Sequence, residues 1–204
     1  MPFVVRAARP DDPADGLLFA SAAPYYAAYA GGADRARQLL RVLYPRARHT
    51  ASWDVCRVAE AGGRVVGVLA AFPSDTGDEL ARRFVRLTLA HSLPWRIPAL
   101  FRHLRATAAV SPHPPRGMLY VDALATDAAH RRRGVARALL AEADRMAADA
   151  GLDGVALDTG IENRPARVLY ERAGFVTRGL RPAPDARTAR AVGGSGFVGY
   201  VKPR

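Results

Sequence analysis

The sequence predicts a single α/β domain built around a mixed sheet, on three observations. A chain of 204 residues, half of them apolar, can bury one substantial core and is too short for two comfortable domains, so residues 1–204 are expected to form one unit. Two β-branched runs in WDVCRVAEAGGRVVGVLAAF, residues 53–72, flank Gly62 and Gly63 as the arms of an antiparallel hairpin flank a tight turn. From residue 118 onward strand-like and helix-like segments alternate, the order that lays helices against a sheet.

Taken in order, VVRAA at 4–8 reads as a first strand. Residues 12–30 and 34–47 read as helical, with Asp34 placed to cap the second. After the hairpin comes a long segment, 73–115, bounded by Pro73 and by SPHPP at 111–115. It holds two short helical patterns, DELARRFVRLTLAH and WRIPALFRHLRATA. MLYVDALA at 118–125 returns to strand character, VALDT at 155–159 is another short strand, and GFVGYVK at 196–202 a last one. Between the first two of these lies a helix whose apolar residues Val135, Leu139, Ala143, Met146 and Ala150 form one stripe. Glu142, Asp144, Arg145 and Asp149 lie off it, so one face packs on the sheet and the other is wet.

Composition excludes several classes. No run approaches the ~18 apolar residues of a membrane span, and residues 1–12 interrupt any secretory signal with charge, so no membrane role and a cytoplasmic location are expected. Cys56 is the only cysteine and cannot form an internal disulfide; in a hairpin strand it reads as core packing rather than as a nucleophile. The five histidines (His49, His91, His103, His113, His130) lack paired spacing, and no metal is expected. The net charge of +11 invites a nucleic-acid reading. Lys202 is the sole lysine, however, and the remaining excess is arginine, accompanied by abundant Ala, Gly and Pro. That bias is what a GC-rich coding sequence produces, and nucleic acid is not expected as a partner. A positive field still steers anionic small molecules toward the protein.

The unusual stretch is HRRRGVARALLAEADRMA, residues 130–147, where Arg131, Arg132 and Arg133 precede Gly134 at the start of the helix. A helix N-terminus carries about half a positive charge, so cations there are disfavoured unless an anion offsets them. Free backbone N–H groups, a glycine that turns tightly and flanking guanidiniums together suit a phosphate or pyrophosphate. The alternative, arginines simply pointing into water, stays open for Arg132 above all. The pattern R-x-x-G-x-A (Arg131, Gly134, Ala136) follows a strand, and about thirty residues later comes ENRPARVLYERAGF, with Asn163, Ala166, Leu169, Tyr170, Glu171, Gly174 and Phe175. Both motifs, in this order, resemble the GNAT superfamily of acyl-CoA-dependent N-acyltransferases, most strongly over 118–176.

The resemblance implies a mostly antiparallel sheet flanked by helices, with 73–115 as a helical insertion between the third and fourth strands. It implies acetyl-CoA as co-substrate, its pyrophosphate on the amides of Arg131, Arg132, Arg133, Gly134, Val135 and Ala136. The pantetheine arm would run along the fourth strand where it splays from the fifth, past Asn163, which reads equally as a helix cap. Leu124, Ala125 and Thr126 would offer backbone N–H groups to a developing oxyanion, at a bulge in the strand. Asp122, expected to share a face with Tyr120 and Leu124, sits where the family often carries an acid; alone it reads equally as an arginine's ion partner. Tyr170 matches the family's tyrosine beside the CoA sulfur, or is a core aromatic on a helix marked by Asn163, Pro165 and Gly174.

The implied activity is transfer of an acetyl group to a primary amine of a small molecule by direct attack in a ternary complex. A protein N-terminus or lysine as acceptor, and a CoA-binding regulatory module without turnover, remain alternatives. The 73–115 segment carries six arginines (82, 83, 86, 96, 102, 105) against Asp75, Asp78 and Glu79, with Leu93, Trp95, Ile97, Leu100, Phe101 and Leu104. It reads as a lid favouring an acidic or aromatic-bearing amine, as a homodimer surface, or as two solvated helices.

Overall fold

The computed structural model describes residues 2–204. Its elements in chain order are β1 (Val4–Ala7), α1 (Asp15–Ser21), α2 (Ala23–Ala30), α3 (Ala33–Leu43), β2 (Cys56–Ala61), β3 (Arg64–Pro73), α4 (Gly77–Ala90) and α5 (Ile97–Val110). They continue with β4 (Leu119–Thr126), α6 (Val135–Asp149), β5 (Gly154–Gly160), α7 (Arg164–Arg172), β6 (Val176–Pro182), α8 (Ala186–Val192) and β7 (Gly196–Pro203). The strands form one sheet in the order β1-β2-β3-β4-β5-β7-β6, antiparallel except for β4 and β5. That parallel pair is joined by α6, since parallel neighbours need a crossover rather than a hairpin.

Each face of the sheet has its own core. One side packs Leu18, Phe19, Tyr26, Leu40, Val58, Val68 and Phe84 under α1 to α5. The other packs Leu69, Val121, Leu139, Leu140, Leu157, Tyr170 and Tyr200 under α6 and α7. Gly62 and Gly63, with φ of 55° and 74°, make the two-residue hairpin turn between β2 and β3 that the sequence predicts. Among the described residues no helix is long and apolar enough to cross a membrane.

Four local expectations change. The helix expected over 12–30 is two helices broken at Ala22 (φ −147°, ψ 51°): Pro24 has no N–H to give and would clash with the preceding turn, so it begins a new helix instead. Asp34 does not cap α3; Gly32 holds that place with a positive φ of 142° that favours glycine, and Asp34 lies in the first turn, 3.0 Å from Arg37. On α6 the buried stripe runs through Leu140 and Ala147, while Met146 is half-buried and Ala150, past the last turn, is exposed. Strand β6 and helix α8 were not expected at all. VTRGLRP is exposed at all but one position because it is the sheet's edge, so no apolar alternation marks it.

Candidate active site

The turn from β4 into α6 is built by Asp127. Its carboxylate accepts from the backbone N–H of Ala129 at 3.0 Å and lies 2.9 Å from His130 Nδ1. The chain then passes through the left-handed region twice, at Arg132 (φ 59°) and at Gly134 (φ 83°). Such alternation turns successive N–H groups toward one concavity. Among the described residues no acceptor meets the backbone N–H groups from Arg132 to Ala136. A Cβ built on Gly134 finds nothing within 4 Å, so the helix mouth is open, with Arg131, Arg132 and Arg133 exposed around it.

Strands β4 and β5 pair over only three positions, from Leu119 opposite Val155 to Val121 opposite Leu157, and then diverge. Past Val121 the β5-facing edge of β4 has no strand partner, and the wedge between them is a cleft of about 420 Å³. Asp122, Leu124, Asp158, Asn163, Ala166 and Tyr170 line it, and the α1–α2 junction and residues 192–197 roof it. Ala125, Thr126 and residues 131–136 are not among its lining: they carry β4 on to the helix mouth. Asn163 caps α7, accepting from Ala166 N–H at 3.3 Å, and donates to Thr159 Oγ1 at 3.0 Å. Tyr170 is buried with its ring against Phe175 and Tyr200. Tyr170 also lines the cleft. Burial first, then the negative charge of Asp158, pushes its pKa up, so the phenol stays protonated.

The bulge in β4 falls at Asp122, not at 124–126. Ala123 pairs with Ala70 and Val121 with Ala71, leaving Asp122 as the extra residue, whereas Leu124, Ala125 and Thr126 pair regularly with Leu69, Val68 and Gly67. The insertion also reverses the alternation of faces. Ala123 joins the core under α1 to α5 while Leu124 packs with α6, so Asp122 does not share Leu124's face.

Asp158, which sequence reasoning passed over, occupies the equivalent point on β5, where the strands part. Tyr120 donates a 2.6 Å hydrogen bond to its Oδ2. The Asp122 side chain is exposed where the cleft meets the cavities on its other side, and many protein atoms crowd the walls of those spaces around it. That crowding, and then the charge of Asp158, push its pKa up to about 7. Burial likewise lifts Asp158 to about 6, against the opposing effect of the Tyr120 hydrogen bond. The available signal was an acid inside each of two short apolar strands, VDALA and VALDT. Only pairing could show that the two meet.

Two cavities meet Asp122 from the side opposite Asn163. An inner one of about 210 Å³ lies between α2, α4 and α5, and an outer one of about 490 Å³ opens past residues 74–78 and 111–116. A third, of about 360 Å³, reaches Tyr120 and Asp158 beneath Arg178 and Arg181. Cys56 is buried in the core, its thiol pushed up by burial. No group of His, Cys, Asp and Glu suited to a metal occurs among the described residues.

Comparison with known proteins agrees with this architecture. The model of the acetyltransferase (GNAT) family matches residues 22–175. A crystal structure of an acetyltransferase superposes with a TM-score of 0.68 at 15% identity, over 98% of both chains. An N-acetyltransferase from Staphylococcus aureus Mu50 gives 0.66 at 18% identity, over 97% of this chain and 98% of its own. Ard1 from Thermoplasma volcanium gives 0.56 at 16% identity, over 100% of this chain and 98% of its own. At such identities the likeness is one of fold. No curated protein matches the sequence.

Proposed function

The chain belongs to the GNAT family of acetyltransferases, and from that premise we propose that it moves an acetyl group from acetyl-CoA to a primary amine of a small molecule by direct attack in a ternary complex. The observation that carries this reading is one cleft, opened where β4 and β5 part, that is lined by the Asp122 carboxyl group and by the Tyr170 phenol. The open helix mouth fits the co-substrate's diphosphate: free amides from Arg132 to Ala136 would hold it, with Arg131, Arg132 and Arg133 offsetting its charge. Val135 and Ala136, the first two residues of α6, present their amides to the same anion. When bound, acetyl-CoA supplies an acetyl thioester, and the unpaired edge of β4 around Leu124, Ala125 and Thr126 supplies backbone N–H groups for charge developing on its carbonyl oxygen. Asn163, which also caps α7, would touch the pantetheine arm. Because that co-substrate is a metabolite of the cell interior, the reading carries a cytoplasmic location with it.

An amine of pKa ~10.4 is neutral in only about four molecules in ten thousand at pH 7, so deprotonation accounts for roughly 4 to 5 kcal/mol of the barrier. An ordinary carboxylate is too weak a base to help much. Asp122 is tuned to about 7, where base strength and ionised fraction are both useful. Asp158, held by Tyr120, contributes the neighbouring charge that raises it. Tyr170 then protonates the departing thiolate, a modest task since a thiol has a pKa of ~8.5. The narrow inner cavity between α2, α4 and α5 favours a small acceptor over a folded protein's terminus.

Thiol release from acetyl-CoA, measured across a panel of amines, tests the reading. Acceptor-dependent thiol is expected; tight CoA binding without it would instead mark a regulatory module. Tyr170→Phe is expected to lower turnover about 10- to 100-fold while CoA affinity stays within twofold. An unaltered rate would remove Tyr170 from proton transfer.

A further inference from the structure

Resting on the acetyl-transfer reading, we propose that the acceptor is a small di- or polycationic amine, whose reacting nitrogen sits at Asp122 while a second ammonium group is held in the outer cavity by Asp75 and Asp78. The inner and outer cavities both border Thr50, Ala81, Ser111, Tyr120 and Asp122, so they form one passage from solvent to the reacting carboxylate. The charge along that passage is opposite to that of the protein. In a chain of net charge +11, Asp122 and Asp158 stand at the inner end and Asp75 and Asp78 at the outer. Arg116 is the one arginine lining it, almost wholly exposed and 3.9 Å from Asp75.

The arginines of the 73–115 segment do not face this space. Arg82, Arg83, Arg86, Arg102 and Arg105 are exposed on the outer faces of α4 and α5, and Arg96 lines a separate groove. The preference for an acidic amine that the segment's composition suggests therefore reverses. Inside, Tyr25, Phe84, Tyr120 and Phe197 offer ring surfaces, and an ammonium group is attracted to the negative face of such rings. Tyr26 lines the same inner cavity.

The distal cation matters because the reacting nitrogen must lose its charge. One proton of the reacting ammonium passes to Asp122 and on to solvent. The nitrogen–carbon bond forms as the carbon–sulfur bond breaks, and the nitrogen's second proton finishes on sulfur by way of Tyr170. The products are an amide and the CoA thiol. Throughout, the second ammonium keeps its charge and its attraction to Asp75 and Asp78. The cavity under Arg178 and Arg181 would suit an anionic amine, but it borders Asp158 and not Asp122.

The test is kcat/KM for 1,4-diaminobutane, 1-aminobutane and 4-aminobutanoate with saturating acetyl-CoA. The diamine is expected to exceed the monoamine at least tenfold, with the amino acid poorest. Asp78→Asn should bring the diamine-to-monoamine ratio toward one through KM rather than kcat, with Asp78→Glu restoring it. Equal constants for diamine and monoamine, a preference for 4-aminobutanoate, or a ratio indifferent to Asp78 would overturn the inference while leaving acetyl transfer intact. Absence of thiol release with every amine would overturn the acetyl-transfer reading, and this inference with it.

Discussion

Replacing Gly134 with glutamate is expected to weaken CoA binding at least a hundredfold, about 2.7 kcal/mol, while the protein stays folded. A side chain at this position meets open space, so the substitution creates no clash. The left-handed backbone at φ 83° costs a non-glycine residue on the order of 1–2 kcal/mol. A carboxylate at a helix N-terminus recovers part of that from the dipole. What changes is the guest: glutamate places a negative charge where the diphosphate is held and competes for the free amides of Arg132 to Ala136. Gly134→Ala carries the backbone strain without the charge, and should lose far less affinity than Gly134→Glu. Calorimetric titration of CoA into both variants, with circular dichroism to show that they fold, decides the matter. Unchanged affinity in Gly134→Glu would count directly against a phosphate cradle at this turn.

Asp122→Asn is expected to lower kcat by about 10²- to 10⁴-fold, the range for loss of a general base, while CoA affinity changes little. The pH dependence is the sharper readout. With Asp122 at about 7, wild-type activity should fall as pH drops below 7 and level off above it. The variant should lose that inflection. Stability should move the other way. The folded-state pKa of Asp122 lies above its ordinary carboxylate value, so the native state retains a proton that the unfolded chain has already released. Stability from this group is full below about pH 4 and is lost as pH rises through about 7. A neutral asparagine escapes that loss, so the thermal midpoint of Asp122→Asn should exceed the wild type's at pH 8 and converge with it near pH 4. Asp158, raised to about 6, contributes in the same direction over a narrower window. A variant that is less stable at pH 8 would mean that the carboxylate is ionised and paired, which would disqualify it as a base.

Much of this molecule was legible in its residues because the signals were local. The Gly62–Gly63 turn, the Asn163 cap with Pro165 behind it and Gly174 at the far end, and the arginines around Gly134 each state a backbone geometry within a few positions. Helix α6 showed itself by its spacing of apolar residues. Where the local signal was ambiguous, neighbours decided. Pro24 split one expected helix into two, and β6 carried no alternation because an edge strand has little core to face.

The turn that opens α6, the helix that carries Tyr170 and the family to which the chain belongs were thus determined by sequence alone, since each depends on residues in reach of one another along the chain. Tertiary structure decided the rest of the site. Asp122 stands out from β4 because of its register against β3, a strand separated from it by the whole of 73–115. Asp158 meets it because β4 and β5 part company after Val121. The arginines of the inserted helices face outward because their apolar sides are already spent on the core. Register and burial are properties of surfaces that meet, and no stretch of chain specifies both surfaces.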